Sequence, residues 1–350
     1  MQSGTVADEA AGGTLPDDDV VYQINTFGAD FTVDGLIRRF DRGDIYRPDF
    51  QRNYVWNLNQ ASKFIESILL GLPIPSVFLY REEESQQHLI VDGLQRLTTL
   101  HSYAEGVFPL TERAFRLKGV KRQFEGRSLR DLASEDRRRF EDSVIHAMII
   151  QQASPQHDKS SVFHIFERLN SNGTPLEPQE MRAAIYHGSF QRLLFDLNRA
   201  EAWRLVFGPI HKRSKDEELI LRFLAFLYDE QSYVSPMKLF LNNFMGANQN
   251  LSESVAEKAG SDFVTTIARI VDAVGPQAFR ISRSLNAAIF DSFAVAVARK
   301  PDKSSASIGE AYESLLRDPE YIELVSKATA NERNVEGRFA LAQQALDATP

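Results

Sequence analysis

Cysteine is absent from the 350 residues. Disulfides, thiolate zinc sites and cysteine nucleophiles are therefore excluded. Long apolar runs are absent too. None approaches the ~20 residues a helix needs to cross a bilayer. The N-terminus lacks the basic start and apolar core of a signal peptide. These absences predict a cytoplasmic protein with no membrane partner. A positive balance is also missing, since 48 Asp and Glu outweigh 40 Lys and Arg for a net charge of −8. The chain thus has no global basic footprint for nucleic acid. Contact with DNA needs a local basic patch, or a partner subunit that supplies the charge. No Walker A loop is present.

What is there suffices for one or two domains. Hydrophobic residues make up 43% and charged residues 25%, the composition of an ordinary soluble fold. Residues 1–20 are rich in Gly, Ala and Asp and hold no Lys or Arg. They read as a disordered tail. Thr32 suits the N-cap of a helix over residues 33–42, closed by Gly43. Leu58, Ala61, Phe64, Ile65, Ile68 and Leu69 recur at three- and four-residue spacing, which predicts an amphipathic helix over 58–70. Asn57 is its expected cap, and Gly71, Pro73 and Pro75 end it. Residues 76–80 and 88–91 read as a β-hairpin, and 144–151 as another strand. Leu94, Leu97, Leu100 and Tyr103 line one face of a further helix. After about residue 158 the pattern is helical, over roughly 159–170, 178–187, 190–200, 215–229, 236–245, 253–274, 285–299 and 334–347. Ser214 and Glu217 suggest a capping box. The expected architecture is α+β: a small mixed sheet with helices over 21–157, then an all-helical domain over 158–350.

Four stretches carry candidate chemistry. The first is IVDGLQRLTTL, residues 90–100. A strand ends at Asp92, Gly93 permits a tight turn, and a helix begins. A helix N-terminus offers unpaired N–H groups and a dipole that favours anions. Arg96 lies in the first turn, with Thr98 and Thr99 behind it, so the place can hold a phosphate. Asp92 can orient a water or ligate Mg²⁺. The plain alternative makes Asp92 an N-cap and Gln95 the other half of a capping box. The second stretch is RPDFQRNYVW, residues 47–56. A base can stack on Tyr54 or Trp56, and Arg47 or Arg52 can take phosphate. Alternatively the aromatics are core anchors. The third, residues 163–187, reads as a helix–turn–helix hairpin around Asn172–Gly173, with Pro178 opening the second helix. The fourth is a basic cluster, His211, Lys212, Arg213 and Lys215, whose plain reading is a solvated helix start.

In this order the four stretches resemble the N-terminal domain of GmrSD-type restriction endonucleases, whose core is ParB/sulfiredoxin-like. The hallmark DGQQR-LTTL motif stands here as Asp92-Gly93-Leu94-Gln95-Arg96-Leu97-Thr98-Thr99-Leu100. The P-x-F-Q-R-x-Y-x-W motif is matched by Pro48, Phe50, Gln51, Arg52, Tyr54 and Trp56. The block from Glu66 to Pro75 looks like the next one, and Phe166–Asn170 with Gly173–Leu176 like a later one. Leu94 departs from the pattern by replacing the first Gln of DGQQR.

The resemblance implies nucleotide binding, and in several members NTP hydrolysis, coupled to restriction of modified or foreign DNA, as in phage defence. By position, Asp92, Gly93, Gln95 and Arg96 form the nucleotide site. Gln51 and Arg52 face it, and Arg168 and Asn170 reach it from the helical side. Arg96 and Arg52 hold phosphates while Asp92 positions a metal or a water. Many relatives add an HNH nuclease domain, which needs a His general base. All seven histidines here precede residue 212, so the last 139 residues (350 − 211) hold no such domain. The expectation is an NTPase subunit or sensor that stands alone or works with a partner nuclease. Two alternatives remain. One is a ParB-like metal-dependent DNA nuclease, with Asp92, Asp49 or Glu66 as ligands. The other is a non-catalytic nucleotide or DNA sensor.

Overall fold

The computed structural model describes residues 23–46, 54–82, 85–154, 163, 165, 177–281 and 284–350. The expected tail over 1–20 and most of the expected helix over 159–170 lie outside them. The chain divides into two compact units, Val20–Leu176 and Glu177–Pro350.

The first unit is α+β. Its elements are β1 (Gln23–Thr32), α1 (Val33–Asp41), β2 (Ile45–Tyr46), α2 (Leu58–Leu69), β3 (Val77–Arg81), β4 (His88–Asp92), α3 (Leu94–Glu105), β5 (Val107–Phe108), β6 (Arg113–Ala114), α4 (Ser134–Asp142) and β7 (Val144–Ser154). Five strands form one mixed sheet in the order β1-β7-β3-β4-β2. The β3–β4 hairpin is antiparallel, and β3 runs parallel to β7. Thr32 caps α1 through the Gly35 N–H at 3.1 Å. Asn57 caps α2, and Gln60 completes the box by accepting the Asn57 N–H at 3.0 Å. Leu36, Ile65, Leu97, Leu100 and Tyr103 from the helices meet Val77, Leu79, Ile90, Ile145 and Ala147 from the sheet in one buried cluster. The helices therefore cover one face. Over Val144–Met148 of β7 the other face is open, with Val144, His146 and Met148 exposed and Ile145 and Ala147 buried, while Ile150 and Gln152 farther along that face are buried. That alternation is the period of a sheet with one solvated side.

The second unit is helical. It contains α5 (Pro178–Ile185), α6 (Ser189–Leu197), α7 (Glu201–Phe207), α8 (Lys215–Asp229), α9 (Met237–Ala247), α10 (Glu253–Val274), α11 (Ala287–Ala298), α12 (Ser305–Arg317), α13 (Pro319–Leu324) and α14 (Glu332–Asp347). Helices α8 and α11 are buried almost all round. Buried Asp291 on α11 pairs with both Arg222 of α8 and Arg338 of α14. Three charges taken from water are tolerable only when paired in this way. The start of α8 differs from expectation. Ser214 sits in the left-handed region and makes no cap bond, while the Asp216 carboxylate accepts the His211 N–H at 3.0 Å. Glu217 points inward to Gln191 instead, at 3.1 Å.

Candidate functional site

The turn from β4 into α3 is built on Gly93. Its φ of +102° is open to glycine and strained for other residues. A Cβ there would stand 2.6 Å from Val77 Cγ1, so the backbone also lies too close to β3 for any side chain. Gly93 is the N-cap of α3, and among the described residues no side chain caps that end. The plain alternative, in which Asp92 caps the helix and Gln95 closes a capping box, is not met. The first-turn N–H groups are left without a side-chain acceptor, where the dipole favours an anion.

Asp92 and Arg96 flank this end. Arg96 Nη2 meets Asp92 Oδ2 at 2.6 Å, an i,i+4 pair across the turn. Arg96 Nη1 also donates to the carbonyls of Pro75 at 2.7 Å and Ser76 at 3.0 Å. The guanidinium therefore braces the strand ends of the hairpin. A guanidinium carries five N–H donors; these bonds take three and leave Nε–H and one Nη2 hydrogen. Its side chain is 13% exposed and that of Asp92 43%, so the carboxylate is the more open of the two.

Gln95 turns the other way. Its Oε1 accepts the N–H of Val55 at 2.9 Å and of Trp56 at 3.3 Å. The DGxQR segment thus holds the end of the P-x-F-Q-R-x-Y-x-W segment directly. A second tie lies beside it, between Tyr54 Oη and Thr99 Oγ1 at 2.8 Å. Thr99 in turn donates to the Gln95 carbonyl at 2.7 Å. Burial pushes the Tyr54 phenol pKa up, partly offset by the Thr99 bond. Tyr54 is buried edge-on to Phe108, and Trp56 packs against Phe64. Both aromatics are core anchors. Leu94 also packs against the core, in keeping with its place on the apolar face. Thr98 is buried, and its Oγ1 has no hydrogen-bond partner.

Asp92, Gly93 and Arg96 therefore meet at one turn, whereas the Gln95 side chain faces the Val55–Trp56 segment and Thr98 and Thr99 are buried farther along α3. Gln51, Arg52, Arg168 and Asn170 lie outside the described residues. The His211–Lys215 cluster is partly neutralised, because Arg213 pairs with Glu180 at 2.9 Å and Glu177 at 3.7 Å. Among the described residues no group of three or more His, Asp or Glu stands together as a metal site. Glu66, one ligand of the nuclease alternative, spends Oε1 on the Lys121 N–H at 2.6 Å. One concentration of charge was not expected: a run of cations over Arg113–Arg130. Its sequence signal is hidden by the interleaved Phe115, Leu117 and Phe124 and by the negative total.

Residues 33–187 match the family described as GmrSD restriction endonuclease, N-terminal domain. This chain carries a GmrSD N-terminal domain. The matched span takes in all four motif blocks and every strand of the sheet except β1, which ends at Thr32. The GmrSD domain points to a role in a restriction system. A comparison with curated proteins found no match. No helix among the described residues is long and apolar enough to cross a membrane.

Proposed function

We propose that the GmrSD domain handles a nucleoside triphosphate at the β4–α3 turn and serves a restriction system as its nucleotide-dependent subunit. The observation that carries this reading is the uncapped start of α3, flanked by a half-open carboxylate and a guanidinium with donors to spare. Phosphate oxygens suit the N–H groups of the first turn and the free Nε–H and Nη2–H of Arg96. Asp92 Oδ2 is held by Arg96, which leaves Oδ1 for a water or for Mg²⁺ arriving with the nucleotide. One carboxylate fits that ion, which commonly takes most of its other ligands from phosphates and waters. The Mg²⁺ would offset charge on the phosphates. Roles for Gln51, Arg52, Arg168 and Asn170 rest on the family resemblance alone.

A second reading, binding without turnover, is favoured by one feature. Gln95 Oε1 and Arg96 Nη1 are already committed to backbone groups, so both side chains serve as braces. The Asp92→Asn variant separates the readings, because it keeps an oxygen acceptor for Arg96. The expected outcome is a melting temperature within a few degrees of the parent, retained NTP binding, and phosphate release lower by about tenfold or more. Unchanged release from Asp92→Asn, with an active parent, would remove Asp92 from the chemistry. Binding of NTP by the parent with no release would establish the sensor reading. A parent that binds none of the four NTPs would end both.

A further inference from the structure

Between Arg113 and Arg130 the chain carries seven Lys and Arg and one Glu. This is the reverse of the whole-chain balance. All seven cations are exposed. Arg116 is paired with Asp131 at 2.8 Å. The other six, Arg113, Lys118, Lys121, Arg122, Arg127 and Arg130, have no ion-pair partner among the described residues. Their backbone, in contrast, is fastened. Leu117 and Gly126 bring the two arms together, through Leu117 N–H to the Arg127 carbonyl at 3.0 Å and Gly126 N–H to the Leu117 carbonyl at 2.8 Å. Lys118 N–H donates to Ser62 Oγ at 2.9 Å, and Lys121 N–H to Glu66 Oε1 at 2.6 Å, both on α2. Phe115, Leu117 and Phe124 are buried in the core beneath. The loop is thus pinned by its apolar side chains and its amides, with the charged heads of the six cations other than Arg116 left without an ion-pair partner among the described residues.

We propose that this loop is a docking surface for the backbone of duplex DNA. Six unpaired cations on a chain of net charge −8 are costly through mutual repulsion, and a polyanion relieves that cost. Duplex DNA carries one charge per ~1.7 Å of axis, dense enough to engage several cations of one loop. The only aromatics in the segment are Phe115 and Phe124, and both are buried. It therefore offers no stacking platform for unpaired bases. No large apolar side chain in the segment is exposed to enter a lipid surface. Contacts of this kind read phosphates and carry no sequence information. The choice of DNA over other polyanions rests on the restriction reading, whereas the charge argument stands without it.

The test is fluorescence anisotropy with a labelled duplex of about 20 base pairs, without nucleotide, over a salt series. The full chain is compared with Lys118→Ala/Lys121→Ala/Arg122→Ala and with Arg127→Ala/Arg130→Ala on the other arm. Lys327→Ala/Arg333→Ala in the helical unit removes charge elsewhere as a control. Loss of three phosphate contacts should flatten the slope of log affinity against log salt by about 2.7 and weaken binding by about tenfold or more at low salt. The arm pair should flatten it by about 1.8, and the control should leave it unchanged. Wild-type slope in both loop variants, or equal losses in the control, would overturn the proposal. So would tighter binding of single strands, duplex RNA or anionic vesicles than of duplex DNA. Because no NTP is present, failure here leaves the turnover result at Asp92 unaffected, and the reverse also holds.

Discussion

A single methyl group is enough to probe the β4–α3 turn. Gly93→Ala places a Cβ against Val77 Cγ1 and asks alanine to hold a left-handed φ. Steric and conformational costs add, and a loss of about 2 kcal/mol or more is expected. Urea unfolding of the N-terminal unit measures it. Gly28→Ala is the control, since nothing stands within 4 Å of its Cβ and its φ is not left-handed. The need for Gly93 was legible from a strand ending at Asp92 and a helix beginning at once. The direction of the Gln95 and Arg96 side chains was not. A first-turn Gln looks like a capping partner by spacing, and a first-turn Arg looks like a phosphate ligand. Each side chain instead found backbone groups that only tertiary packing supplies, and Arg96 keeps two donors over.

Between elements, Gln95 acts as a rivet from α3 to the irregular segment before α2. Replacing it with Ala leaves the Val55 and Trp56 N–H groups without their acceptor. Amide exchange at those two positions should accelerate by about fivefold, since the lost bonds are each worth roughly 1 kcal/mol. Exchange inside α3 should be unchanged. Hydrogen-exchange mass spectrometry reads both; equal acceleration across α3 would mean that the helix itself had loosened. Element existence was mostly legible where an apolar stripe repeats. Helices α2, α8 and α10 follow their spacing closely. Strand β1 and helices α7, α12 and α13 were not expected. Most of β1 is exposed, so no buried face marks it in the sequence; its partner β7 defines it. For α12 a signal existed, as Ile308, Ala311, Tyr312 and Leu315 fall at helical spacing.

At the scale of the whole molecule, charge is handled in two opposite ways. The first unit leaves all seven cations of its basic loop exposed, and six of them have no ion-pair partner among the described residues. The second unit draws charges inside and pairs most of them. Glu217 is the exception there, because burial pushes its carboxyl pKa up to about 7, against the Gln191 bond that lowers it. Asp216 adds to the rise. Relative to an ordinary value of 4.5, the folded chain therefore holds a proton that the unfolded chain releases between these limits. Stability should fall as pH rises from about 4.5 to about 7 and stay level above that, by on the order of 3 kcal/mol. Glu217→Gln stays neutral and should remove this slope. Melting curves of parent and variant at pH 5 and pH 8 provide the check; parallel pH dependence in both would assign the slope to other groups.

Local sequence determined the family blocks, the glycine turn, the amphipathic helices and the change from mixed to helical architecture. Helical period, capping and turn chemistry are all written within a dozen residues. Tertiary structure alone decided which donors of Arg96 remain free, that Gln95 ties two motifs together, and that the basic loop is fastened with its charges outward. Those outcomes depend on partners 20 to 40 positions away or farther. Such partners are chosen by packing, which no local pattern encodes.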